Sequence, residues 1–134
     1  MYNPVYLSLE EDAMNAINWF EVPTSDLDRA TKFYETILGA EMIKVDMGGT
    51  PMHMFPADME RGVGGHLAAP GDGAPGESGT LIYLNCTGTL DDVLGRVESA
   101  GGAIMLPKTH IGDPGYIAFI RDSEGNKIGL HSPV

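Results

Sequence analysis

Slid against itself by 63 positions, the chain matches weakly but in order. Thr24 meets Thr87, Leu27 meets Leu90, Asp28 meets Asp91, Glu35 meets Glu98, Gly39 meets Gly102, Ala40 meets Ala103, Met42 meets Met105 and Gly62 meets Gly125. A chain of 134 residues that repeats at about half its length reads as two copies of one supersecondary unit, each needing the other to bury its apolar face. In each copy an apolar strand (16–22, 80–86) runs into a Thr/Ser/Asp cluster suited to a helix N-cap. The first helix, 26–37, sets Leu27, Ala30, Phe33, Tyr34 and Ile37 on one face; the second, 89–99, does so with Leu90, Val93, Leu94 and Val97. Both end at glycine, in "LGAEM" and "AGGAIM", as a left-handed C-terminal cap favours. Three short strand patterns follow each helix: 40–46, 52–56 and 63–68, then 103–107, 115–121 and 127–131. The expected class is α+β, with two tandem β-α-β-β-β modules at 15–69 and 79–134 forming one domain. Residues 1–14 read as an N-terminal arm and the Gly/Pro-rich 70–78 as a flexible linker.

Composition narrows the partners. Nineteen acids against eight Lys and Arg leave a net charge of −11, and no basic stretch exists to release counterions from a nucleic acid or to meet an anionic membrane. Cys86 is the only cysteine, which removes a disulfide framework and a cysteine-based zinc site. No stretch reaches the roughly 20 apolar residues of a membrane span, and the first residues are too acidic for a secretory signal. The expectation is a cytoplasmic protein.

The run "DLDRATKFYETILG" (26–39) and the ending "DSEGNKIGL" (122–130) together resemble the vicinal oxygen chelate superfamily of glyoxalases, bleomycin-resistance proteins and extradiol dioxygenases. The branch most similar is the glyoxalase-like group related to lactoylglutathione lyase. The resemblance covers residues 16–132 and implies that curled mixed sheets form a cleft for metal and substrate. It also implies one ligand from the first and one from the last strand of each module. Those positions here hold Trp19, His66, Leu81 or Ile82, and Gly129. Only His66 carries a ligand atom, so the four-ligand metal is not expected.

Strand periodicity of two then sorts side chains by face. If Phe20, Val22, Val63, Leu67, Ile82, Leu84, Cys86, Ile128 and Leu130 pack on helices, the cleft face holds Trp19, Glu21, His66, Tyr83, Asn85 and His131. A carboxylate buried in an apolar run costs several kcal/mol unless paired or hydrated, so Glu21 is expected in a cavity, hydrogen-bonded to His131 directly or through one water, within one protomer or across a domain-swapped pair. Glu21 and His131 are the candidate acid–base pair; Trp19, Tyr83, Asn85 and His66 are the candidate ligand contacts. His53 and His110 read as structural or surface residues, His53 in an edge-like strand and His110 in a loop.

The resulting expectation is a glyoxalase-like cleft protein for a small organic molecule, needing no cofactor and working as a homodimer. As an enzyme it would be a glyoxalase-type lyase or isomerase, or dioxygenase-like. One alternative is a divalent-metal enzyme with its site shifted to Glu21, His66 and His131. The other is a non-catalytic sequestering or dimerisation module.

Overall fold

A computed structural model describes residues 15–134, so the arm expected over 1–14 lies outside the described residues. The elements run β1 (Trp19–Pro23), α1 (Leu27–Leu38), β2 (Ile43–Met47), β3 (Thr50–Met54), β4 (Gly64–Ala68), β5 (Tyr83–Asn85), α2 (Leu90–Val97), β6 (Ala103–His110), β7 (Tyr116–Arg121) and β8 (Lys127–Ser132). They form two four-stranded sheets, ordered β1-β4-β3-β2 and β5-β8-β7-β6. In each sheet the first and last strands of the module pair in parallel and the remaining pairs are antiparallel. The fold is α+β with tandem β-α-β-β-β modules. Among the described residues no helix is long and apolar enough to cross a membrane.

Local chemistry explains the boundaries. Asp26 caps α1 by accepting the Arg29 N–H at 3.0 Å, and Gly39 ends it at φ 65°, where an L side chain is strained. Strand β3 begins at Thr50, two residues before the sequence pattern suggests, because Gly48 and Gly49 both take positive φ and make a two-residue hairpin turn. That strand lies between β4 and β2, so His53 is not on an edge; its Nδ1 lies 2.7 Å from the Thr31 hydroxyl within the core. Strand β6 runs on to His110 through two register shifts around Pro107, an interruption that an outer strand tolerates. His110 therefore ends a strand opposite Tyr116, not in a loop.

Val22, Leu67, Leu84, Cys86, Ile128 and Leu130 point to the helix side and join Ala30, Phe33, Tyr34, Ile37, Val93 and Val97 in one core that spans both modules. Polar contacts reinforce it. The Tyr34 hydroxyl, buried on α1, donates to Asp122 at 2.6 Å across the module boundary. Burial, with the facing carboxylate, pushes that phenol well above its usual pKa. Beside it Glu124, whose side chain is fully covered, accepts the backbone N–H groups of Ser25 and Asp26 at 2.8 Å and the Arg29 guanidinium at 2.7 Å. The connecting segment is tied to the second module by Gly76, whose N–H donates to Asn126 at 3.0 Å.

Burial alone would raise the Glu124 pKa, but Arg29 and the two backbone donors outweigh it and hold the carboxyl at about 2. A depressed folded-state pKa stabilises above the ordinary carboxyl value of 4.5 and loses that contribution as pH falls through the folded value. Glu124→Gln is expected to cost about 2 kcal/mol at neutral pH. The gap from wild type, read by urea unfolding at several pH values, should narrow below pH 4.5 and close near pH 2.

Candidate functional site

On β1, Phe20 and Val22 turn to the core, which leaves Trp19 and Glu21 on the opposite face. The parallel register sets Glu21 beside His66 and Trp19 beside Gly64. The bare glycine matters: a Cβ on Gly64 would come within 3.1 Å of the Trp19 ring. The indole thus lies across β4, and its Nε1–H donates to His66 Nδ1 at 2.8 Å. On the far side of the imidazole, Nε2 is 3.6 Å from Glu21 Oε1. Trp19, His66 and Glu21 are brought together.

Glu21 is not enclosed, however. Its side chain is 56% exposed, against 16% for His66, because β1 is the outer strand of its sheet. The enclosed setting expected for Glu21 is corrected: it is an exposed residue that, with Ser78, Thr80, Asn126 and Lys127, lines a small cavity of about 270 Å³.

Tyr83, Asn85 and His131 gather on the second sheet, where Asn85 pairs with His131 and Tyr83 with Gly129. With Ile111, Ile117 and Pro133 they line a groove of about 600 Å³. His131 Nε2 lies 2.6 Å from the Pro114 carbonyl, which can only accept. The proton is therefore on Nε2, and Nδ1 is the ring's free acceptor. The Asn85 carbonyl accepts from the backbone N–H and hydroxyl of Thr87, so its amide group remains as a donor.

Within one chain the expected Glu21–His131 hydrogen bond is not made. The first strand of each module meets the last strand of its own module, so Glu21 finds His66. The part of β8 that reaches Glu21 is its beginning, Lys127. His131 is four residues further on, roughly 13 Å at the usual strand rise. Within one chain the shifted trio Glu21, His66 and His131 is likewise not assembled; among the described residues no three His, Cys, Asp or Glu side chains cluster as a metal would need.

The four positions that the resemblance gives to metal ligands can now be placed. Tyr83 pairs with Gly129 as Glu21 pairs with His66, which makes Leu81 the counterpart of Trp19 and leaves Ile82 on the helix side. The one-residue offset from the repeat is taken up in the strand-to-helix turn, where Gly88 sits at φ 75°. Gly129 has no room for a ligand side chain, since a Cβ there would lie 2.5 Å from the Tyr83 ring. Trp19, Leu81 and Gly129 offer no metal donor. These residues do not fit the four-ligand metal.

Sequence reasoning missed a third space, a crevice of about 710 Å³ lined by Phe20, Leu38 and Phe55 of the first module and Ile82 and Leu84 of the second. Its lining is mostly core-type residues, so no polar pattern signals it. Cys86 is no hidden nucleophile: it faces the core, and burial pushes its thiol up to about 11.

A family model described as the glyoxalase/bleomycin resistance protein/dioxygenase superfamily matches residues 16–130. The protein named "Putative glyoxylase CFP32" in Mycobacterium bovis is 32% identical over 117 residues, covering 84% of this chain. The matched part is 44% of that relative, so the chain spans less than half the length of the curated proteins it matches. A glyoxalase/bleomycin resistance protein from Albidiferax ferrireducens superposes with a TM-score of 0.69 at 20% identity, over 88% of this chain and 99% of that one. A lactoylglutathione lyase from Agrobacterium tumefaciens gives 0.57 at 19% identity, over 90% and 95%. With a family match over nearly its whole length and the paired modules that the family implies, this chain belongs to the glyoxalase/bleomycin resistance protein/dioxygenase superfamily.

Proposed function

We propose that this protein binds a small organic molecule on the concave face of its second sheet, without the family's four-ligand metal set. The observation that carries this reading is the groove of about 600 Å³, of a size that ligand sites commonly have. It combines an apolar floor, Ile111, Ile117 and Pro133, with three polar groups of different character. His131 offers an acceptor nitrogen, Asn85 an amide donor, and Tyr83 a half-exposed aromatic wall with a hydroxyl. A carbonyl compound with one apolar end suits such a lining. In a lyase or isomerase reaction, His131 Nδ1 would take the proton.

Glu21 and His66 supply a second donor–acceptor pair on the first sheet, and Trp19 packs beside them. We place both faces in one site by pairing two copies of the chain, the first sheet of one opposite the second sheet of the other. Exposed Tyr83 and Ile111, at 48% and 40%, supply the apolar surface that such pairing would cover. Glu21 and His131 would then act on one ligand from different chains. Light scattering is expected to return twice the chain mass, and a monomer at every concentration would count against the pairing.

The binding reading is tested by thermal-shift and NMR screening with small carbonyl compounds and their thiol adducts. Tyr83→Ala and His131→Gln should each weaken a hit about tenfold or more, while leaving the folded spectrum intact. A hit unaffected by either change would place the ligand elsewhere.

Gly129 provides an independent check on the groove wall. Gly129→Ala forces the Tyr83 ring to move and is expected to cost about 1–3 kcal/mol in urea unfolding. Adding Tyr83→Ala to that variant should restore part of the loss, because the clash is with this ring.

A further inference from the structure

We propose that Trp19 sets the tautomer of His66, so that this ring presents an Nε2–H to a ligand and is barred from binding a metal through Nε2. The inference rests on the reading that the site works without the family metal, and deepens it by giving a cause. An indole nitrogen is a donor only. At 2.8 Å from Trp19 Nε1, His66 Nδ1 must therefore accept. A neutral imidazole has one N–H, and here it is left on Nε2, the nitrogen that faces Glu21.

A metal-binding histidine needs the opposite polarity. One ring nitrogen gives its lone pair to the metal while the other donates its N–H to a carboxylate, a carbonyl or water. His131 has that polarity, with Nε2–H on the Pro114 carbonyl. His66 does not: with the indole N–H on Nδ1, ligation through Nε2 would leave the ring with no proton at all. Trp19 thus removes two donors from the first module, its own position and that of its neighbour. What remains is useful in another way. At 3.6 Å the His66 nitrogen and Glu21 oxygen are beyond ordinary hydrogen-bond length, so a donor and an acceptor stay open side by side. The indole acts as a positioning residue for that pair.

The test is the ring nitrogen spectrum of protein labelled with ¹⁵N-histidine, recorded at mildly alkaline pH. His66 is expected as the Nε2–H tautomer. Trp19→Phe keeps an aromatic wall but no N–H, and should shift His66 towards a mixture of tautomers while His53 and His131 stay unchanged. Should that variant fail to fold, the wild-type coupling across the hydrogen bond from Trp19 Nε1 to His66 Nδ1 gives the same answer.

Zinc titration adds a second readout. The His66 signals of wild-type protein should not respond to stoichiometric zinc, whereas Trp19→His should bind zinc about tenfold tighter or more. A wild-type His66 found as the Nδ1–H tautomer, unmoved by Trp19→Phe, or shifted by zinc would overturn the proposal. Loss of ligand binding in the second sheet's groove would leave it standing, since that groove shares no residue with this pair.

Discussion

The architecture depends on Asp122, a buried carboxylate that collects four donors: the Tyr34 hydroxyl, the backbone N–H groups of Glu124 and Asn126, and the Asn126 amide. Three of these shape the turn between β7 and β8, and the fourth comes from the helix of the other module. Asn126 then uses its second amide proton on the Pro23 carbonyl, at the end of β1. Glu124, held in the same turn, caps the start of α1 from outside the helix. One five-residue turn in the second module thereby fixes both the strand and the helix of the first. A buried carboxylate is costly unless fully satisfied, which makes the turn all or nothing.

With the modules clamped helix side to helix side, the opposite faces of the two sheets are left for chemistry. The two faces differ in their hydrogen-bond logic more than in their residue types. Each carries a histidine, but Trp19 makes His66 an N–H donor and the Pro114 carbonyl leaves His131 with an acceptor nitrogen. Glycines permit this: Gly64 under the indole and Gly129 under the Tyr83 ring let large side chains lie flat across a neighbouring strand. At two of the four positions that the family gives to metal ligands, an aromatic ring occupies the space: the indole is Trp19 itself, and the Tyr83 ring covers Gly129.

Much of this was legible in the residues. The repeat predicted the modules, helical spacing predicted the buried faces of α1 and α2, and alternation predicted which strand residues turn to the core and which stand on the opposite face. Partnership was less legible. Glu21 was expected to meet His131 within one chain or across two; within the chain it meets His66, because strand pairing is settled by a parallel register within each module. The "DSEGN" turn could be recognised as a motif and a turn, but nothing in the string says that its carboxylates reach across to Tyr34, Ser25 and Arg29.

What the sequence determined by itself is periodic and local: two β-α-β-β-β units, the caps of α1 and the glycine turns, and the face on which each side chain stands; α2 departs, with no side-chain bond from Thr89 at its start and Glu98 in right-handed helical geometry at its end. These follow from spacing at 3.6 and 2 residues and from glycine where φ is positive, all of which act over a few neighbours. What only the tertiary structure decided is which faces meet and with what polarity. Trp19 and His66 are 47 positions apart, and Tyr34 and Asp122 are 88 apart. The first contact exists only once β1 has paired with β4, and the second only once the modules have closed on their shared core. The direction of each hydrogen bond, and hence the chemistry of each ring, is set there.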